Sequence, residues 1–399
     1  MIILVLLFME LLLYGLVQYL RKDFQWLITK QDENPKLDQD GLNRFYAKSF
    51  DPDLGWTRRP NTRGIEKGES GEVSYQIDEL GSRLNENCGE QPPTIACFGD
   101  SYAFCRQVED SETWEHYLSE NLGTCVLNFG VGNYGLDQAL LRYRLTELPK
   151  SIDTIVMAFV PETICRIQST WKHYLEFGNT FAFKPRYKLS EDGGLDLIPN
   201  PMQNRADFND YERKLDQIIR HDRFYVGKFR KFQFRFPYTI SFMRNLRRNT
   251  NLISRLLMRE VYRRSGRIDP CVEDAPFEYI MNENIRIAHQ LYQDEQSVAL
   301  FTSLIKKFLR LAESRNHKAY VLILPQLIDL RIMAKNNSKT FSDVLSILDI
   351  PEGVLLDFTP YFTESEDIEQ LYVNDKYGGH ISNRGNKYVA EKLSQVISL

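Results

Sequence analysis

In the stretch TIACFGDSYAF (Thr94–Phe104) an apolar run stops at Gly99-Asp100-Ser101, which puts a hydroxyl where a buried strand ends. A serine hydroxyl becomes a useful nucleophile only beside a positioned base. Of the six histidines, His380 lies in a glycine-rich loop, YVNDKYGGHISNRGNKYVAE, just before a helical pattern. Asp375 stands five residues upstream. Gly378 and Gly379 let that loop fold back, so that the carboxylate can meet the imidazole, fix its tautomer and stabilise the imidazolium. His116, His289 and His317 fall in or at the ends of predicted helices, and His173 and His221 in the middle of the chain, where packing or surface roles suit them. Ser101, His380 and Asp375 together would attack an ester carbonyl and pass the acyl group to water or to another hydroxyl.

The elements that would hold these groups follow from hydrophobic patterning. Thr94–Phe98, Cys125–Phe129, Thr154–Val160, Lys318–Leu324 and Val354–Asp357 read as strands, and Ser111–Asn121, Gln138–Leu148, Ser297–Arg315, Thr340–Leu348 and Arg384–Ile397 as helices. Apolar strands alternating with amphipathic helices imply a parallel sheet covered on both faces. Ligands of such sheets bind beyond the carboxyl ends of the strands, where Ser101 falls. The alternation breaks after Arg166 and resumes near Ser297, so residues 91–166 and 297–399 form an α/β domain split by an insertion of residues 167–296. Residues 23–90 read as a polar linker followed by turns and short strands.

Three blocks in order, ACFGDSYAF, NFGVGNYGLDQALL and NDKYGGHISNRGNKYVAE, resemble the first, second and last sequence blocks of the SGNH/GDSL hydrolase superfamily. The upstream DPDLGWTRRPNTRG…YQIDELGSR resembles the segment before this domain in membrane-anchored bacterial members. The resemblance implies a flavodoxin-like three-layer α/β/α sandwich. It also implies Ser101 as nucleophile and oxyanion N–H donor, and His380 as base. The family's acid normally lies three residues before the histidine, where this chain has Tyr377; Asp375 is the nearest candidate and Asp357 a more distant one. The second block's main-chain oxyanion donor maps onto Gly132 or Asn133. The third block departs: in place of Gly-x-Asn-Asp stands Pro161-Glu162-Thr163-Ile164, leaving the Thr163 hydroxyl or the Asn133 side chain to replace the missing asparagine. Losing one oxyanion donor costs about 10²–10³ in rate. The expected activity is therefore a serine esterase or O-acyltransferase acting on an acylated glycan or lipid. The second reading is an SGNH-fold module, weakly active or inactive, that binds glycan or lipid at the membrane.

The chain is 399 residues long, enough for one large or two smaller cores, and its formal charge of −4 does not suit a nucleic-acid binder. Ile2–Leu20 is an apolar run of nearly membrane-spanning length without a basic segment before it, which points to an uncleaved, single-pass N-terminal anchor over residues 1–22. Arg21, Lys22 and Lys30 argue for a cytoplasmic C-terminal side. Between His221 and Arg267, thirteen Lys and Arg face two acids, with aromatics interleaved. Residues 221–267 are either a solvated helical face or a contact for anionic lipid head groups. The six cysteines show no metal-ligand spacing, and read as structural thiols that favour a reducing compartment. No metal or organic cofactor is implied by this chemistry.

Overall fold

In the computed structural model, residues 2–24, 34–69, 71–89, 91–336, 341–348, 350–374 and 379–397 are described. The chain divides into two compact units: Met1–Ala47, Gln168–Lys184 and Asn200–Asn284 form one, and Lys48–Ile167, Pro185–Pro199 and Ile285–Leu399 the other.

The second unit is built on five strands, β1 (Pro93–Gly99), β2 (Cys125–Gly130), β3 (Thr154–Phe159), β4 (Lys318–Ile323) and β5 (Leu355–Asp357). They lie in the order β2-β1-β3-β4-β5, and every pairing is parallel. This is the flavodoxin-like doubly wound order, whose switch point falls between β1 and β3. The expected α/β/α sandwich is therefore present, with β1 at the position where such sheets bind ligands.

Alternate residues of each strand serve opposite faces. Ile95 and Cys97 of β1, with Val156 and Ala158 of β3, pack into a core with Trp114, Leu118, Val389 and Leu393. Those four residues belong to α1 (Trp114–Leu122) and to the last helix, Asn383–Ser394, which lie together on that face. On the other face, Phe98 stacks on Phe129 and meets Tyr143, and Phe159 meets Phe301. Tyr143 and Phe301 come from α2 (Leu136–Leu145) and α3 (Glu295–Ser314).

The helix ends follow local chemistry. Thr113 caps α1 by accepting from His116 N, and Gly123, at φ 63°, closes it in the left-handed region. The predicted start at Ser111 is displaced because Asp110–Glu112 forms a separate 3₁₀ turn. Asp294 caps α3 through Ser297 N, and Ser382 caps the last helix, labelled α4, through Gly385 N. His380 therefore stands two residues before a fixed helix start.

One expectation about the cysteines is corrected. Cys88 and Cys125 form a disulfide, because the short turn Glu86–Cys88 lies against the first residue of β2. Cys97, Cys105 and Cys165 are buried thiols and Cys271 is an exposed one. Disulfides persist in oxidising compartments, so the pairing weighs against the reducing environment inferred from the thiols.

In the first unit, helix Ile2–Phe24 contains an 18-residue stretch, Ile3–Leu20, long and apolar enough to cross a membrane, of which 17% is buried. Burial within that stretch is limited to a few positions. It is concentrated at Leu13, Val17 and Leu20; Val17 and Leu20 pack with Phe234, Leu252, Ile253 and Leu256. Glu10, which interrupts the apolar run, accepts hydrogen bonds from the backbone of Tyr238 (2.6 Å) and Thr239 (2.9 Å) at the start of helix Tyr238–Arg244.

Candidate active site

Gly99 ends β1 because nothing larger fits: a Cβ there would lie 1.9 Å from the Ala158 carbonyl oxygen on β3. The chain then coils over residues 100–107 instead of entering a helix. Phe104 N donates to Asp100 O (2.9 Å) and Arg106 N to Ser101 O (3.2 Å). Gly130, at the end of β2, lets this coil settle, since its Cβ would meet Phe104 N at 2.2 Å.

Asp100 is buried and acts as a fastener. Its carboxylate accepts from Tyr102 N (2.8 Å), from Val160 N at the end of β3 (3.0 Å) and from Arg166 Nη1 (3.3 Å). Arg166 also donates to Glu162 Oε2 (2.7 Å) and to Tyr134 O (3.2 Å). One guanidinium thus ties together the loops that follow β1, β2 and β3. Burial raises the Asp100 carboxyl, with Arg166 opposing. Within the altered third block, Glu162 is thus paired with Arg166.

Ser101 is 5% exposed, and among the described residues its Oγ makes no hydrogen bond. His380 comes to the same coil. Its ring lies 5.1 Å from that of Tyr102, the residue after Ser101, and Tyr102 Oη donates to Gly379 O (3.2 Å). Gly379, at φ 66°, is needed for the approach, since a Cβ would fall 1.8 Å from Val373 O.

The imidazole is held by Gln107. Gln107 Oε1 accepts from His380 N (2.9 Å) and lies 2.8 Å from His380 Nδ1, while Gln107 Nε2 reaches Lys67 O (3.3 Å). A backbone N–H can only donate and a backbone carbonyl can only accept, so these contacts orient the amide. Its oxygen faces the ring, which puts the proton on Nδ1 and leaves Nε2 free to act as a base. Burial, with Arg106 and Arg166 adding repulsion, pushes His380 down to about 3, although one edge of the residue remains accessible. The ring is neutral at physiological pH, the state a general base requires.

Gln107 takes a left-handed backbone (φ 71°), as does Cys105 (φ 55°). Such conformations cost a non-glycine residue about 1 kcal/mol and need surrounding support. Arg83 supplies it. Buried, it bonds Asp110 through Nε (2.7 Å), the carbonyls of Phe104 and Cys105 through Nη1 (2.8 and 2.6 Å) and that of Val108 through Nη2 (2.6 Å).

Gly132 and Asn133 follow β2. Gly132 O accepts from Trp56 Nε1 (3.1 Å), and Tyr134 Oη donates to Trp56 O (2.5 Å), so the upstream Gly-Trp clamps this loop. Asn133 is exposed with φ 69°, the conformation a glycine would supply at this position. Thr163 is elsewhere engaged: fully buried, its Oγ1 accepts from Leu136 N (2.8 Å) at the start of α2. That contact uses the hydroxyl as an acceptor only. Asp357 accepts from Thr359 N (2.9 Å) at the end of β5, three strand spacings or about 14 Å from β1. Asp375 lies outside the described residues.

Sequence reasoning missed Gln107, Arg83 and Arg166. It also missed Asp329, after β4, which burial pushes to about 7, with Glu162 raising it further and Arg166 opposing. The one available signal was the Arg83 of the upstream Gly-Ser-Arg. Among the described residues no group of three or more His, Cys, Asp or Glu is placed to hold a metal.

No protein-family model matches this chain, and no curated protein does. Among solved structures, "a putative lipolytic protein of G-D-S-L family from Desulfitobacterium hafniense DCB-2" is similar at 11% identity, covering 76% of this chain and 99% of that one, with a TM-score of 0.33. A second crystal structure is similar at 11% identity over 76% of this chain and 95% of its own, with a TM-score of 0.34.

Proposed function

We propose that this chain is a membrane-anchored serine esterase or O-acyltransferase acting on an O-acyl ester of a glycan or lipid. The observation that carries the reading is the seating of His380: neutral, protonated on Nδ1 by its bond to Gln107, and packed on the residue next to Ser101. Ser101 Oγ attacks the ester carbonyl while His380 Nε2 takes its proton. The backbone N–H of Ser101 and of Gly132 or Asn133 receive the developing oxyanion. His380 then returns the proton to the leaving alkoxide, and water or an acceptor hydroxyl releases the acyl group by the same route. Gln107 takes the orienting place of a triad carboxylate, as a neutral group.

The test is labelling of the full-length chain in detergent by a fluorophosphonate probe, beside Ser101→Ala and His380→Ala. Labelling that both substitutions abolish supports an activated serine. A folded wild-type chain that does not label favours the binding-module reading, for which the missing third-block asparagine is the motive.

The first unit supports a lipid-facing role. Arg235, Phe236, Ile240, Met243, Arg244, Leu246 and Arg247 combine exposed apolar groups with cations beside the helix that carries Glu10, while Arg248 pairs with Glu283, and Arg259 and Arg263 share Glu273. Apolar groups with basic neighbours suit the head-group region of an anionic bilayer. A polarity-sensitive fluorophore on Met243→Cys in a Cys271→Ser background, reconstituted in phosphatidylglycerol vesicles, should emit as in a lipid environment; water-like emission would refute the contact. The Cys88–Cys125 disulfide favours an oxidising face for the α/β unit, against the cue from Arg21 and Lys22.

A further inference from the structure

Away from Ser101, the second unit contains a cavity of about 440 Å³ lined by Arg144, Tyr187, Ser303, Lys307, Arg310 and the Gly193-Gly194 turn, with apolar walls from leucines. Helix α2 starts beyond the carboxyl end of β2 and runs back, so Arg144, in its last turn, lies toward the amino ends of the strands. Helix α3 ends at Ser314 and feeds β4 at Lys318, which puts Lys307 and Arg310 at that same end. The catalytic candidates occupy the opposite, carboxyl end. Hairpin strands Arg186–Leu189 and Leu195–Ile198 complete the wall.

Its chemistry is one-sided. Among the described residues Arg144, Lys307 and Arg310 make no ion pair. The Arg144 charge acts on the Tyr187 phenol, and Lys307 Nζ lies 5.5 Å from the centre of its ring. The carboxylate that also acts on Tyr187 is Asp137, two turns before Arg144 on α2, so cations outnumber it three to one. Asp192 at the hairpin tip is spent on Ser190 Oγ and Gly194 N (3.0 Å). Helix dipoles explain a cation in a last turn, but they do not explain Tyr187 itself. That residue is 1% exposed, and its buried hydroxyl has no hydrogen-bond partner. A buried hydroxyl without a partner carries a desolvation cost that a ligand would relieve.

We propose that this cavity is a binding site for a hexose-sized anion, a sugar unit bearing a carboxylate or a phosphate ester. The volume falls within the range of small-molecule sites. Arginine forks grip planar or tetrahedral oxyanions, Lys307 adds a point charge, and the leucines receive the C–H face of a pyranose. The Tyr187 hydroxyl gains its missing partner from a ring hydroxyl. Nothing in this assignment depends on Ser101 being active.

The test is calorimetric titration of the full-length chain in detergent with glucuronate, glucose 6-phosphate, inorganic phosphate and glucose. Saturable binding of glucuronate or glucose 6-phosphate is expected, weakening as salt is raised, and the tighter of the two identifies the source of the charge. Arg144→Gln with Lys307→Gln and Arg310→Gln should lower that affinity at least tenfold, Tyr187→Phe should lower it severalfold, and Ser101→Ala should leave it unchanged. The proposal is overturned if neither anion saturates, if glucose binds as well as both, if inorganic phosphate matches glucose 6-phosphate, or if the triple variant binds like the wild type.

Discussion

Gln107 offers the sharpest handle on the chemistry, because it holds His380 without carrying a charge. Gln107→Ala removes both contacts of Oε1, those to His380 N and Nδ1. At about 1 kcal/mol for each neutral bond, the loss is about 2 kcal/mol, or roughly 30-fold in kcat/KM at 1.36 kcal/mol per tenfold. Gln107→Glu keeps the shape and adds a negative charge. A carboxylate about 4 Å from the imidazolium is worth about 4 kcal/mol at an effective dielectric constant near 20. That is enough to lift His380 from about 3 to roughly 6. The base must be neutral, so wild-type kcat/KM should be flat from pH 8 down to pH 4, whereas the Glu variant should lose activity below about pH 6. Hydrolysis of p-nitrophenyl acetate across that range reads the profile. Carbon NMR of the histidine ring reads the titration and tautomer directly, whether or not the substrate is a good one. A Gln107→Ala enzyme with wild-type kcat/KM, or a Gln107→Glu profile that overlays the wild type, would refute the assignment.

Arg166→Met leaves Asp100 and Glu162 buried without their common partner, which should cost about 3–5 kcal/mol in chemical denaturation; a loss below about 1 kcal/mol would show that the guanidinium does not organise the three loops. Asn133→Gly should retain full kcat/KM, since both residues accept the left-handed backbone at φ 69° and the donor proposed above is main chain; a loss of about 10²–10³-fold would make the Asn133 side chain the oxyanion donor. Burial pushes Glu115 from 4.5 up to about 8, so the folded chain holds a proton there that the unfolded chain releases. The stability this group contributes is complete below pH 4.5 and is lost as pH rises through 8. Glu115→Gln should therefore melt with the wild type near pH 5 and above it at pH 9, and parallel melting curves at the two pH values would contradict that.

The sheet was largely readable because a strand buried on both faces is a local pattern: five apolar runs, separated by helical periodicity, lie in the structure within a residue or two of where the pattern puts them. Helix starts shifted where side chains decided them, as at Asp110–Glu112, whose 3₁₀ turn delays α1 to Trp114. The hydroxyl of Thr163 illustrates the opposite limit. Its residue type suits an oxyanion donor, but only the fold shows that its oxygen also accepts from Leu136 N, 27 residues away in sequence. The cysteines misled for a similar reason, since Cys88 and Cys125 are 37 residues apart and meet only once the turn at Glu86–Cys88 lies on β2.

By itself the sequence determined what short-range physics encodes: the alternation of buried strands and amphipathic helices, the glycine that lets β1 turn at Ser101, the glycine before His380, and the apolar N-terminal run. Only the tertiary structure decided which groups serve them. Gln107 reaches His380 across 273 residues from a left-handed backbone that Arg83 supports, and Arg166 meets Asp100 from 66 residues away. No periodicity records such pairs, because each depends on where loops from different strands converge at the end of the sheet.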